Sequence, residues 1–431
     1  MQFIKKIVIS ILKLESRIII AKYKPFVVAV TGSVGKTSTK DAIYSVIKNS
    51  SKFARKSDKS FNSEIGLPLT VIGVPNAWKD ISGWVKNVLH GLELIIWRSE
   101  YPDCLVLEIG ADHPGDIQSV TKWLHPDIVV MTKVSSTPVH VEFFASPDDV
   151  FKEKSYLAKA VKAGGTLVLL ADDEKIMTLK KDSQAKVVSY GMTETADVKG
   201  LNPIISYGNM APTGIEFTLS LDAAEIPVKV NGVLGNTYIY PLIAAAAVGK
   251  ARGMTADDIS KGMADYVAPR GRMNIISGIT GSTIVDDTYN SSPDAAISAL
   301  DSIGLVQCTG RKIAVLGDMM ELGKYASDEH RRVGSRVATA VNILVTVGPR
   351  SRLSLVEGAV GAGMSPENIF SFDSSVEAGK YVASIVGVND IILVKGSQSM
   401  RMERVSAALL RESSRAAELL VRQEKEWLEK R

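Results

Sequence analysis

Cysteine is nearly missing from this chain: 431 residues contain two, Cys104 and Cys308, each isolated in its own segment. That excludes a disulfide framework and a cysteine-based zinc cluster, and it fits a reducing, cytoplasmic setting. A long apolar run is missing as well. The stretch Ile7 to Leu12 is broken by Lys13, Glu15 and Arg17 before it reaches the length of a signal peptide or a membrane span. No internal repeat and no low-complexity segment occurs. Net charge is small, +4, which gives no indication of nucleic-acid binding. The charge is unevenly spread, however. Residues 1–60 carry thirteen basic and three acidic side chains, a local excess of +10, so the remainder is net −6.

What is present is the composition of a folded protein, 45% hydrophobic and 23% charged. At roughly 150 residues per domain the length predicts two or three domains. Ile4, Ile7, Val8, Ile11, Leu12, Ile18 and Ile19 follow a helical period with lysines between them. This predicts an amino-terminal basic amphipathic helix over residues 1–24. It suits packing on the body, contact with a membrane surface through residues 1–22, or docking of a partner helix.

Beyond it, apolar strand-like runs recur at Phe26 to Val30, Cys104 to Ile109, Ile128 to Thr132, Thr166 to Leu170, Ile313 to Leu316, Ile343 to Val347 and Ile391 to Val394. Helix-length stretches separate many of them, which predicts an α/β fold with mostly parallel sheets. Residues 186–234 alternate like short strands and read as a small β-rich section closing the first domain. Ala268-Pro269-Arg270-Gly271-Arg272 supplies the boundary, giving domains over 25–268 and 269–410. Residues 411–431 lie in a stretch free of proline and glycine and read as one exposed terminal helix.

The strongest local signal is Thr31-Gly32-Ser33-Val34-Gly35-Lys36-Thr37-Ser38, after a strand and at the start of a helix. Glycines let backbone N–H groups converge on phosphate oxygens, Lys36 reaches the β/γ-phosphates, and the Thr37 hydroxyl suits magnesium. Val30 stands where the commonest pattern has a glycine. Such a loop needs a carboxylate near the metal, at the end of a neighbouring strand, and Glu108 is placed for this. His140 follows another strand and is either structural or part of a metal site.

These blocks together resemble the Mur ligases of peptidoglycan synthesis. They are the phosphate loop, Leu107-Glu108-Ile109-Gly110 with Pro114-Gly115-Asp116-Ile117, His140-Val141-Glu142-Phe143-Phe144, Asp286 to Asn290 with Pro293, Leu316 to Gly323 with His330, and Lys395 to Glu403. The last three look most like the members that add D-alanyl-D-alanine to a UDP-N-acetylmuramoyl-tripeptide. The resemblance implies a phosphate-loop central domain with mostly parallel sheet and a Rossmann-like carboxyl-terminal α/β domain. It implies an ATP-dependent ligase in which a peptide carboxylate is phosphorylated and then attacked by an amine.

By the same resemblance, Thr31 to Ser38 with Arg272, Asp287, Tyr289 and Asn290 bind ATP. Lys36, Glu108, His140 and Lys154 are catalytic, and Thr37, Glu108, His140 and Lys154 hold Mg2+, with Lys154 carbamylated. Asn62, Asp318, Glu321, Lys395, Ser397 and Arg401 contact the peptide-carboxylate acceptor or the D-alanyl-D-alanine donor.

Two departures qualify this. Thr237 and Pro241 stand where the family has histidine and asparagine, so adenine recognition is expected to differ. Only about thirty residues precede the phosphate loop, where the family places a UDP-gripping domain. An acceptor that is lipid-linked or polymeric rather than UDP-linked is therefore an open alternative, as is a non-catalytic ATP-binding relative.

Overall fold

The structure, a computed structural model, describes residues 2–429 except 59–63, 79, 182 and 210. The chain opens with α1 (Gln2–Tyr23). Alternating elements follow: β1 (Phe26–Thr31), α2 (Lys36–Ile47), β2 (Ala54–Lys56), α3 (Gly66–Ile72), α4 (Ile81–Ile96) and β3 (Cys104–Glu108). Next come α5 (Asp116–Thr121), β4 (Ile128–Met131), α6 (Pro147–Lys159), β5 (Thr166–Leu170), α7 (Glu174–Met177) and β6 (Lys186–Gly191). Three long strands then continue the same sheet, β7 (Val198–Gly208), β8 (Ala211–Leu221) and β9 (Ala224–Asn231). Helices α8 (Ile239–Ala251) and α9 (Ala256–Ala264) end this half.

The first sheet has nine strands in the order β2-β3-β1-β4-β5-β6-β7-β8-β9. It is parallel as far as β7, and β8 and β9 run antiparallel. Within residues 186–234, β6 extends the parallel run and β7 to β9 add an antiparallel meander to it. β1 is a run of β-branched and small residues buried on both faces, as a central parallel strand requires. Its neighbours β3 and β4 lie on opposite sides and the connections depart in opposite directions, so the loop after β1 occupies a topological switch point.

The second half holds β10 (Asn274–Ser277), β11 (Thr283–Asp287), α10 (Pro293–Leu305), β12 (Lys312–Gly317), α11 (Ala326–Ala340) and β13 (Ile343–Val347). It continues with α12 (Val356–Gly361), β14 (Ile369–Phe372), α13 (Ser375–Ile385), β15 (Ile391–Lys395) and α14 (Glu403–Leu409). Its six-stranded sheet, ordered β10-β11-β15-β12-β13-β14, is parallel except for β10. Among the described residues no helix is long and apolar enough to cross a membrane.

The tail departs from expectation. Instead of one exposed helix it breaks into α15 (Ala416–Leu419) and α16 (Lys425–Leu428), with Leu420 and Arg422 buried between them. Tertiary contact overrides helix propensity here. The Arg422 guanidinium pairs with buried Glu403 at 3.0 Å and donates to the carbonyls of Thr288 and Tyr289, and its backbone takes a left-handed conformation.

Helix α1 lies on α3 and α4, burying Leu12 and Ile19, each contributing about 2 kcal/mol of apolar burial. Glu15 is buried with them, and neither carboxylate oxygen has a hydrogen-bond partner. A side chain at Gly91 of α4 would collide with it, its Cβ falling 2.2 Å from Oε2. Burial pushes the Glu15 acid up to about 7. A raised folded-state pKa means that stability declines as pH rises from about 4.5 through 7 and the proton is lost. Glu15→Gln should therefore stabilise the protein by about 2 kcal/mol above neutrality and by little at pH 4. Thermal unfolding of the two proteins across this range checks it, and a pH-independent difference would refute it.

Candidate active site

The carboxyl ends of β1 and β3 in the first sheet face those of β11, β12 and β15 in the second across a cleft of about 1060 Å³. The loop leaving β1 turns on two glycines. Gly32 lies against Thr132, where a Cβ would sit 2.0 Å from the threonine hydroxyl, and Gly35 holds a φ of 83° immediately before α2. Larger residues at either point would push the loop off the helix N-terminus, which is the anion-favouring end. Lys36 opens α2, partly buried, with Nζ 3.5 Å from the Ser33 carbonyl. Loss of hydration lowers its pKa, the nearby Glu108 charge opposes that, and Arg272 adds to it.

Glu108 ends β3, buried, with Oε2 lacking a hydrogen-bond partner and Lys40 Nζ 4.0 Å away. The hydroxyls of Thr31 and Ser33 and the Arg272 Nε are likewise buried without partners. Buried polar groups are normally satisfied, so this concentration of orphans around one loop marks a place built for a polar ligand. Among the described residues no three His, Cys, Asp or Glu side chains form a ready metal cage. One carboxylate and one hydroxyl beside a phosphate loop nevertheless suit magnesium, which takes most of its remaining oxygens from phosphates and water.

His140 follows β4 in a left-handed conformation, its Nε2 3.4 Å from Asp112 and its Nδ1 2.9 Å from Glu321 of the second half. The hydrogen bond with His140 holds the Glu321 carboxyl below its usual range. Lys154 on α6 is buried within electrostatic reach of Lys36 and Asp112, and burial, reinforced by the Lys36 charge, lowers its pKa to about 7. Its neighbour Glu153 accepts hydrogen bonds from the backbone of Gly115, Ile117 and Gln118, fixing α6 to the start of α5.

From the second half, Arg272 donates to the Thr37 hydroxyl at 3.3 Å and stacks on Tyr289 at 4.3 Å. Asp287 pairs with Lys395 at 2.6 Å, and the same ammonium donates to the Asn290 carbonyl. The Ser397 hydroxyl accepts from the Met320 N–H.

The cleft wall thus unites Ser33 to Ser38, Glu108, His140, Arg272, Asp287, Tyr289, Asn290, Glu321, Lys395 and Ser397. Thr31, Gly32 and Lys154 lie behind it. Two expected substrate contacts fall elsewhere. Asp318 is buried off the wall, its carboxylate spent on the N–H groups of Arg350 and Ser351, so it is not free to receive an ammonium. Arg401 is neutralised by buried Glu403 at 2.6 Å rather than presented to a carboxylate. Asn62 lies outside the described residues.

Sequence reasoning passed over Lys40, Asp112, Glu153 and Trp427. Lys40 stands one helical turn beyond Lys36, a spacing that signals a shared face. Trp427 lines the cleft from a tail whose composition reads as solvated. Thr237 and Pro241 are on the wall, and Pro241 is accommodated in the first turn of α8, where its missing N–H costs nothing.

A doubly wound sheet with a phosphate loop, faced by a second α/β unit that sends an arginine to the loop, defines a phosphate-loop nucleotide-binding protein. The chain belongs to the Mur ligases: residues 87–249 match the Mur ligase middle domain and residues 271–398 the Mur ligase glutamate ligase domain. It is 29% identical over 403 residues to the UDP-N-acetylmuramoyl-tripeptide–D-alanyl-D-alanine ligase of Mycobacterium tuberculosis, covering 89% of this chain and 72% of the relative. The ligase of the same description from Bacillus subtilis is 25% identical over 385 residues, covering 89% and 76%. The structure of the MurF ligase of Thermotoga maritima in complex with ADP superposes with a TM-score of 0.76 at 26% identity, covering 93% of this chain and 83% of that one.

Proposed function

We propose that the protein joins D-alanyl-D-alanine to the terminal carboxylate of UDP-N-acetylmuramoyl-tripeptide with conversion of ATP to ADP and phosphate, on the cytoplasmic side. The observation that carries this is the convergence, in one cleft, of the phosphate-loop Lys36 and Thr37 with the unpartnered Glu108 and with Arg272, Asp287 and Lys395 from the other half. The similarity to D-alanyl-D-alanine-adding ligases supports the substrate pair.

An acceptor carboxylate oxygen attacks the γ-phosphorus, and the bond to the β–γ bridging oxygen breaks to release ADP. The donor amine then attacks the acyl carbon, the carbon–oxygen bond to phosphate breaks, and a proton leaves with formation of the amide. Both steps crowd anions together, so Lys36 and Arg272 neutralise phosphate oxygens and fix their alignment. Thr37 and Glu108 would hold Mg2+, which supplies further charge neutralisation when bound. His140, with Asp112 beside it, offers a second set of donors. Lys154, whose amine is readily unprotonated, adds to carbon dioxide with loss of a proton, leaving an anionic carbamate in place of a repelling ammonium. Asp287, Tyr289 and Asn290 line the nucleotide side, and Glu321, Lys395 and Ser397 the amino-substrate side. Residues 1–22 make peripheral contact with a membrane.

Purified protein given ATP, magnesium, UDP-N-acetylmuramoyl-tripeptide and D-alanyl-D-alanine should release phosphate only when both substrates are present, with a product of the summed mass less water. Turnover confined to acceptors without the UDP group would replace this acceptor with another, and no turnover with any donor would reduce the protein to a binding relative.

A further inference from the structure

Helices α1 and α4 run side by side in the same direction. Glu15 abuts Gly91, and Lys22 and Tyr23 at the end of α1 donate to the carbonyls of Leu94 to Trp97 at the end of α4. Each helix has a buried edge, Leu12 and Ile19 on α1 and Asn87, Gly91 and Leu94 on α4. Each also has a second apolar edge that stays outside the core, every residue of it more than a third exposed. On α1 this edge is Ile7, Ile11, Leu14 and Ile18, spaced four, three and four residues apart. On α4 it is Ile81, Val85, Leu89, Leu92 and Ile96, spaced four, four, three and four apart. At 100° per residue each set occupies a strip less than a quarter of the helix circumference wide, turned away from the body. Because the helices are parallel and touch between their buried edges, both strips face the same way.

Scattered exposed apolar side chains are ordinary, but nine large ones in two aligned strips are not. None of the nine belongs to the core, and Leu14 and Leu89 are each 58% exposed and Ile81 79%. Two exposed tryptophans, Trp78 and Trp97, flank the two ends of α4. Residues 1–24 carry Lys5, Lys6, Lys13, Arg17, Lys22 and Lys24 against the single buried Glu15, with Lys13 engaged by Glu64 and Lys22 by the end of α4, and Lys86 and Arg98 border the α4 strip together with the acidic Glu93.

We infer that α1 and α4 together form a platform that lies flat on an anionic lipid surface, the two apolar strips entering the headgroup boundary and the basic side chains not engaged by the protein itself, Arg17, Lys86 and Arg98 among them, meeting lipid phosphates. This deepens the membrane contact proposed for residues 1–22 by making α4 half of it. Apolar area and basic charge act together in such binding, and tryptophan suits the boundary between water and hydrocarbon. The ends of both helices at which the strips begin point toward the cleft side of the sheet. α1 ends at Tyr23 just before the amino end of β1, and α4 ends at Ile96 ahead of the amino end of β3, so both helices begin at the edge that carries the phosphate loop. A platform oriented this way holds the cleft beside the membrane.

Vesicle flotation tests it, using zwitterionic vesicles with and without about one-third anionic lipid. Wild type should float with anionic vesicles. The double variant Leu89→Asp/Ile96→Asp should lose about tenfold of its bound fraction while keeping its melting temperature and its turnover of soluble substrates. Val388→Asp, an exposed apolar site in the second half, should change nothing. Deletion of residues 1–22 should also abolish flotation. If the α4 variant floats like wild type and the deletion does not, the contact of α1 stands and the platform is refuted. If wild type does not float, both fail. A dimer by sedimentation that the α4 variant dissolves, without flotation, would assign the face to a second copy and overturn the lipid assignment. Loss of turnover with flotation intact would count against the catalytic reading alone.

Discussion

Lys36→Ala should lower phosphate release by about 10³-fold or more, the scale on which removal of a cationic clamp on a transferring phosphoryl group is felt. The expectation follows from where the side chain stands. It opens α2 directly after the left-handed Gly35, partly dehydrated, with Glu108 and Arg272 the other nearby charges. Dehydration makes an ammonium costly on its own, so its charge is worth most to a polyanion entering the loop. Lys36→Arg should recover little, because a planar fork does not fit where a compact ammonium fits. Steady-state phosphate release and equilibrium nucleotide binding, measured together, separate the cases. Turnover within tenfold of wild type would remove Lys36 from the site.

Lys154→Ala should cost about 10²-fold or more in turnover, and short carboxylic acids should restore part of it. The lysine lies buried on α6 within electrostatic reach of Lys36 and Asp112, and Glu153 ties the same helix to Gly115 and the start of α5. A buried ammonium next to Lys36 would repel both that residue and any cation held by Glu108. A carbamate reverses the sign, and acetate or formate diffusing into the space left by alanine supplies the same oxygens. Lys154→Gln, which fills the space without an anion, should not be improved by added acid. Absence of rescue in the alanine variant, with its fold intact by circular dichroism, would show that no anionic group is needed there.

Much of the framework was readable from local pattern. Strands Thr166–Leu170 and Ile343–Val347 match their apolar runs end to end, and the phosphate loop declared itself through glycine spacing between a buried strand and a helix. What escaped depends on distant contacts. The tail carries Glu, Arg, Leu and Ala, a good helical composition, yet it is opened by what Arg422 finds at the turn after β11 and the start of α14. Asp318 was expected as a ligand from the family resemblance of its block, but the N–H groups of Arg350 and Ser351 take both its oxygens. β2, three residues long, and β10, an antiparallel edge, carry too little pattern to stand out.

The hold of Arg422 on the Thr288 and Tyr289 carbonyls spans 134 and 133 positions of sequence. On the ribosome, therefore, the cleft can assemble its phosphate loop early, but the loop carrying Asp287, Tyr289 and Asn290 gains its clasp only after residue 422 has been synthesised and has reached Glu403 of α14 and the turn after β11. Until then a nascent chain would bring together the groups that grip phosphate without a fixed wall opposite, so competence for ligation waits on the docking of Arg422.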